Sequence, residues 1–253
     1  MSEFIVTDDT MKPPDGYASG LVERDYEVNP VGYNSRPFAI PLIPENQWEA
    51  RLSAKLAAKS CLSEIRKRGN FGGLIPATDQ NGKGYCWAHS TVSAMMLLRA
   101  RQNEPYVELS AYAIACIIKN YRDQGGWGSQ SLEWVAQHGC PSSGFWPLKS
   151  MSRSNDTPAM RANAALHKVT EWQDHEPRNK AQLVTCLLLD IPVVSDFNWW
   201  GHSVCTMDLV SLNPFRTRIL NSWSNWGDRG EGILEGSKAI PDGAISPLVA
   251  FAN

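Results

Sequence analysis

No stretch of this 253-residue chain is apolar for long enough to span a membrane. Its most hydrophobic run, CLLLDIPVV at 186–194, is broken by Asp190 and Pro192. The opening MSEFIVTDDTMKPPDG carries acids where a secretory leader has basic residues and an apolar core, so a cytoplasmic location is expected. Charge of one sign is also scarce. Lys and Arg number 24 against 26 Asp and Glu, a net charge of −2, which gives no footprint for nucleic-acid or membrane-surface binding. Cysteine is sparse and unpatterned: the six at 61, 86, 116, 140, 186 and 205 include no C-x-x-C pair. Neither a zinc site nor a disulfide scaffold is expected, and no metal or cofactor. Internal repeats and low-complexity blocks are missing too.

What remains is ordinary globular material, 43% apolar and 20% charged, with ten tryptophans that suggest aromatic packing or an aromatic-lined cleft. Residues 1–44 hold six prolines and no regular periodicity, and read as an extended arm. Beyond it, WEARLSAKLAAKSCLSEIRKRG predicts one helix from Trp48 to Gly69. Further helices are predicted from Cys86 to about Arg99, from Ala111 (Ser110 as N-cap) to Gly125, over 129–139 and over 179–190, with 141–158 as loop. After that the texture changes. IPVVSDF, HSVCTMDLV, RTRILNSW, EGILEG and SPLVAF are β-branched or alternating runs separated by Asn, Pro and Gly. Helices first and strands later imply an α+β fold with two segregated halves.

The stretch DQNGKGYCWAHS places Cys86 between a glycine-rich turn and the start of a helix. Buried cysteine is usually packing material, but a helix N-terminus favours an anion and draws a thiol towards thiolate. A nucleophilic thiol also needs a base, and the base a group that fixes its tautomer. His202 at the start of a strand and Asn221 at the end of the next supply both; Gln80 adds an amide donor for an oxyanion beside the Cys86 N–H. On these terms Cys86 is expected to be the most reactive of the six thiols. His138 closes a helix, where a cation is favourable, while His167 and His175 stand in polar sequence and read as solvated.

In this order and these contexts the residues resemble the papain-like cysteine peptidases. Lys83-Gly84-Tyr85-Cys86-Trp87 keeps the glycine, cysteine and tryptophan of that family's nucleophile motif. NSWSNWGDRGEGIL is similar to its Asn-Ser-Trp stretch, GHSV to its histidine strand, and GGWGSQSLEWVAQHG to the segment bordering its cleft. The resemblance implies a two-lobe fold over 45–253. A helical lobe (about 60–165) would carry the cysteine and a trimmed β-barrel-like lobe (about 166–253) the histidine and asparagine. It implies Cys86 as nucleophile, His202 as base and acid, Asn221 as orienter and Gln80 as oxyanion donor, cleaving a peptide or protein substrate through a thioester. Trp223 would cover the His–Asn bond, and Gly125 and Gly126 would offer backbone to an extended peptide.

The departures are specific. Tyr85 stands where the family has a small residue and His89 where it has an aromatic; the stretch between Pro192 and His202 is short, and the usual inhibitory pro-region motif is missing from the first 60 residues. A disulfide of the family would fall on Lys83 and Asp123, so an ion pair between these two is expected in its place. The arm, with apolar Phe4, Ile5, Val6, Phe38, Ile40, Leu42 and Ile43, is expected to pack along the domain as an inhibitory strap or to bind an assembly partner. The alternative reading of the whole chain is a papain-fold structural component, for example of a phage or virus particle.

Overall fold

The computed structural model describes residues 3–32, 36–69, 71–223 and 226–252. Positions 1–2 and 33–35 of the expected arm lie outside the described residues. In chain order the elements are β1 (Arg36–Pro37), α1 (Trp48–Ala58), α2 (Leu62–Arg68), α3 (Cys86–Arg101), α4 (Ala111–Ile118), α5 (Gly128–His138) and α6 (Pro158–Ala165). There follow β2 (His167–Asp174), α7 (Lys180–Leu188), β3 (Val193–Phe197), β4 (His202–Leu212), β5 (Phe215–Leu220), β6 (Glu231–Glu235) and β7 (Gly243–Ala252). The strands form one sheet in the order β1-β2-β7-β3-β4-β5-β6, antiparallel except where β1 meets β2.

Strand alternation divides the interior into two cores. Val194, Cys205, Leu220 and Ile245 face α3, α4 and α5, whereas Val193, Val204, Ile219 and Ala244 face the opposite side, with α1, α7 and a cluster of tryptophans. Helix α3 is buried on every side, from Cys86 through Ala100, as expected of an element threaded between other layers. Helix α7 opens with the Asn179 side chain accepting from the Gln182 N–H. These layers make the two lobes, helical and β, with the cleft between them.

Several expectations need correction. The single helix over 48–69 is two, broken where Lys59 turns left-handed at φ 51°. Trp48 and Leu52 pack against α7, while Leu62 packs against α3; one straight helix cannot serve both cores. Helix α4 stops at Ile118, short of Gly125, because Asn120 and Tyr121 both take positive φ; Ser110 makes no side-chain cap bond there. Helix α6 arises within and just beyond the stretch expected to be loop: Thr157 accepts from the Met160 N–H, and Pro158 sits where its missing N–H costs nothing. Strand β2 escaped the sequence pattern because register shifts around Glu171 break its alternation. It carries His167 into a buried position, and His175 just beyond it is buried as well, so neither is the solvated histidine expected. The arm does contribute a regular element, the two-residue β1.

Helix α2 is held to the sheet by charge. Arg66, fully buried, gives one N–H to Glu231 at 2.5 Å and another to the Arg229 carbonyl at 2.8 Å, and Arg218 reaches the same Glu231 at 3.3 Å. Removing one partner of a buried pair leaves the other desolvated, at a cost of roughly 3–5 kcal/mol. Arg66→Met is therefore expected to lose about 3 kcal/mol in a urea melt, Arg218 retaining part of the compensation. A loss below about 1 kcal/mol would mean that α2 is held by packing alone.

Candidate active site

Cys86 begins α3, and its neighbour Trp87 donates from the indole N–H back to the Gly84 carbonyl at 3.0 Å, which closes the turn before the helix. His202 begins β4, and Asn221 follows the last residue of β5. The antiparallel pairing of these strands brings the two side chains together: His202 Nε2 lies 2.7 Å from Asn221 Oδ1. That bond leaves Nδ1 as the other ring nitrogen, and it has no hydrogen-bond partner among the described residues. The Trp223 indole stacks on the imidazole at 4.4 Å, Trp200 meets it edge-on at 4.9 Å, and the ring is fully buried.

Gln80 is fully buried. Its main chain binds the Ser222 carbonyl and the Tyr112 hydroxyl, its Oε1 accepts from the Ser222 hydroxyl, and Nε2 gives its hydrogens to the carbonyls of Lys83 and Ala18 at 2.6 Å. The oxyanion-donor candidate is thus locked between the Cys86 turn and the Asn221 loop. Lys83 and Asp123 meet at 3.4 Å, and the second carboxylate oxygen of Asp123 takes the Gly84 N–H at 2.8 Å, so the two expected loops are joined.

The arm lies in the cleft. Gly126 donates to the Gly20 carbonyl at 3.0 Å and accepts from the Val22 N–H at 2.9 Å; Leu21 donates to the Gly201 carbonyl, and the Ala18 carbonyl also takes the Trp223 indole N–H at 3.3 Å. The glycines permit the close approach. A Cβ at Gly20 would stand 2.2 Å from the backbone of Gly84, one at Gly125 2.5 Å from the Gly20 oxygen, and one at Gly126 2.7 Å from the Trp87 ring. At the outer end, Phe4 packs edge-on against Trp226 at 4.9 Å and Ile5 bridges to Ile233. Gly125, Gly126, Gln80 and Trp223, proposed from sequence as separate features, all border this one segment of chain. Nothing in the sequence pattern marked residues 18–22 themselves; Gly20, preceded by the small Ala18 and Ser19, is the one sign of a close crossing.

Burial sets the electrostatics and corrects one expectation. Both Cys86 and His202 are fully buried. Desolvation pushes the Cys86 thiol up to about 12, although the N–H groups of Ser203 and Gly20 face its sulfur. It brings His202 down to about 4 against the opposing bond to Asn221. With the arm in place, burial thus works against the thiolate that a helix N-terminus favours. His89, one turn beyond Cys86, is likewise held neutral by burial, down to about 3, with Tyr112 edge-on at 5.8 Å.

Comparison with known proteins gives a consistent neighbourhood. The family model described as papain family cysteine protease matches residues 63–207, more than half of the chain. The chain is 24% identical to Zingipain-1 of Zingiber officinale over 204 residues, 70% of this chain and 90% of that one. It is 29% identical to Zingipain-2 of the same plant over 206 residues, 72% and 91% of the two chains. Among solved structures it is similar to xylellain, a cysteine protease from Xylella fastidiosa, with a TM-score of 0.64 and 15% identity over 93% of this chain and 97% of that one. A digestive procathepsin L 3 of Tenebrio molitor larval midgut gives 0.59 and 14% over 81% and 90%.

Two expectations follow from the geometry. Gly20→Ala places a methyl group against Gly84 and should lever the arm outward, raising the rate of Cys86 alkylation by iodoacetamide about ten-fold or more, as exposure restores thiolate. An unchanged rate, read by mass-spectrometric mapping, would show that the arm does not control access to the thiol. Lys83→Ala removes only a half-exposed ion pair and should cost about 0–1 kcal/mol. Asp123→Ala also strands the Gly84 N–H and should cost about 1 kcal/mol more. Equal losses in thermal melts would show that the backbone bond contributes nothing.

Proposed function

The chain belongs to the papain family of cysteine proteases, and on that premise we propose that it hydrolyses peptide bonds with Cys86, His202, Asn221 and Gln80. As a protease of that family it is a hydrolase that acts on peptide or protein substrates. The single observation that supports the finer assignment is the 2.7 Å bond from His202 Nε2 to Asn221 Oδ1, which leaves Nδ1 as the ring nitrogen without another partner among the described residues.

Once the cleft is open, His202 Nδ1 takes the thiol proton, and the sulfur attacks the carbonyl carbon of an extended peptide paired with Gly126. The oxyanion receives hydrogen bonds from Gln80 Nε2 and the Cys86 N–H, donors fixed in advance by the bonds of Gln80 to Ser222 and Tyr112. His202 then returns its proton to the leaving amine, giving a thioester. Water, deprotonated by the same imidazole, releases the acid and regenerates the thiol. Asn221 holds the ring in register throughout, and Trp223 keeps water from that bond.

The arm acts as a strap. Its Ala18 carbonyl holds the Gln80 donor, its Gly20 covers the Cys86 turn, and its backbone occupies both hydrogen-bonding groups of Gly126. Contacts of this kind with its own domain favour a strap over an assembly contact. Six unpaired, buried thiols and an ion pair at the Lys83–Asp123 junction suit a reducing, cytoplasmic compartment.

The test is hydrolysis of a fluorogenic peptide library by the Gly20→Ala chain. Cys86→Ala or His202→Ala in that background should abolish turnover. Asn221→Ala should reduce kcat by about 10²-fold or more with a smaller effect on KM, since it acts through the imidazole. Turnover that survives Cys86→Ala would rule out the assignment.

A further inference from the structure

We propose that Asp174 and Asp196 form a binding site for a cationic side chain of the substrate, arginine or lysine, and that Arg24 of the arm is its resident stand-in. The inference rests on the peptidase reading above and adds the substrate class to it.

Asp174 lies opposite Ile245 and Asp196 opposite Gly243, on the two sides of β7. Positions 243 and 245 are two apart, so both carboxylates leave the same face of the sheet, the one that turns Val194 and Ile245 towards the helical lobe. Asp174 is 1% exposed and Asp196 7%. Buried carboxylates are costly unless paired. Asp174 is paired, by the Arg24 guanidinium at 2.9 and 3.1 Å and by the Gly32 N–H at 3.0 Å, and all of these groups come from the arm. Asp196 accepts the Gly128 N–H at 2.9 Å, and the Ser203 side chain also faces its carboxylate. Burial pushes its carboxyl up to about 6 against the Ser203 and Gly128 bonds and the charge of Arg24, and the nearby Asp174 adds to the rise. The third acid of this corner, Asp242, already has Arg178 at 2.8 Å.

The β-lobe therefore supplies the anions and the arm supplies the cation. A strap that leaves the cleft takes Arg24 with it and strands two carboxylates, one of which, Asp196, is close enough to raise the Cys86 thiol by its charge. The departure also makes room. Tyr26, beneath the Arg24 guanidinium at 4.8 Å, fills the space over Gly243, where a Cβ would stand 3.0 Å from its hydroxyl. On the other side Gly128 packs closely, since a Cβ there would stand 2.6 Å from Val194 Cγ1, and its N–H reaches the Asp196 carboxylate. A long side chain with a terminal cation replaces the Arg24–Tyr26 pair in length and in charge, and a bidentate guanidinium restores the bonds that Asp174 loses.

The test uses the full chain carrying Gly20→Ala, to loosen the strap, and Cys86→Ala, so that nothing is cleaved. Fluorescent peptides with arginine or its neutral isostere citrulline at each position in turn are titrated by anisotropy. At one position the arginine peptide is expected to bind roughly ten-fold tighter, the ratio that about 1.4 kcal/mol supplies. Asp196→Asn and Asp174→Asn keep the volume and an acceptor oxygen, and each should bring the ratio towards one. Equal binding of the two peptides, no measurable binding of either, or a ratio that survives both substitutions would overturn the proposal. Discrimination in binding by a chain that hydrolyses nothing when Cys86 is restored would instead overturn the peptidase reading and leave this one standing.

Discussion

Gly126 gives its N–H to Gly20 and takes the N–H of Val22, and this pair of backbone bonds sets the state in which the rest of the cleft is found. Because residues 18–22 run through the cleft at that register, the Ala18 carbonyl meets Gln80 and Trp223, Gly20 crosses Gly84, and Arg24 reaches Asp174. Each of these contacts is modest. Their sum excludes water from the thiol and the imidazole, and that exclusion, more than any single charge, pushes the thiol up and the imidazole down.

Behind the thiol and the imidazole, the Trp223 stack and the buried Asn221 shelter the far side of the ring. The support behind them is tied by buried bonds. Arg66 ties α2 to Glu231 and to the Arg229 carbonyl, and the neighbouring Gly230 carbonyl accepts from the Asn221 N–H. A charge buried well away from the cleft thereby helps to place the asparagine.

Much of the fold and of the site was legible in the chain. Helix α3 has no Gly or Pro across sixteen residues, and the strands β3 to β7 announce themselves by β-branched alternation between turn residues. The features that escaped share a cause. The 48–69 helix pattern is continuous, but Trp48 and Leu62 belong to different cores. Strand β2 carries His167, Glu171 and Asp174 on a bulged ladder, so its alternation is lost, and His167 and His175 became internal through pairing with β7 and not through their own neighbours in sequence. Local pattern reports local preference, and these positions were decided by distant partners.

By itself the sequence determined which residue types were available for chemistry: a cysteine at a helix start, a histidine and an asparagine at strand ends nineteen residues apart, and an amide six residues before the thiol. Those positions follow from periodicity and turn chemistry, which act over a few residues. Only the tertiary structure decided that Asn221 lies 2.7 Å from His202, that Lys83 meets Asp123, and that residues 18–22 of a proline-rich arm lie in the cleft. Only it decided, too, that Asp174 and Asp196 share one face around β7. Hydrogen-bond register and burial join residues more than two hundred positions apart, and both are properties of the assembled sheet and its packed lobes, with no counterpart in the order of the chain.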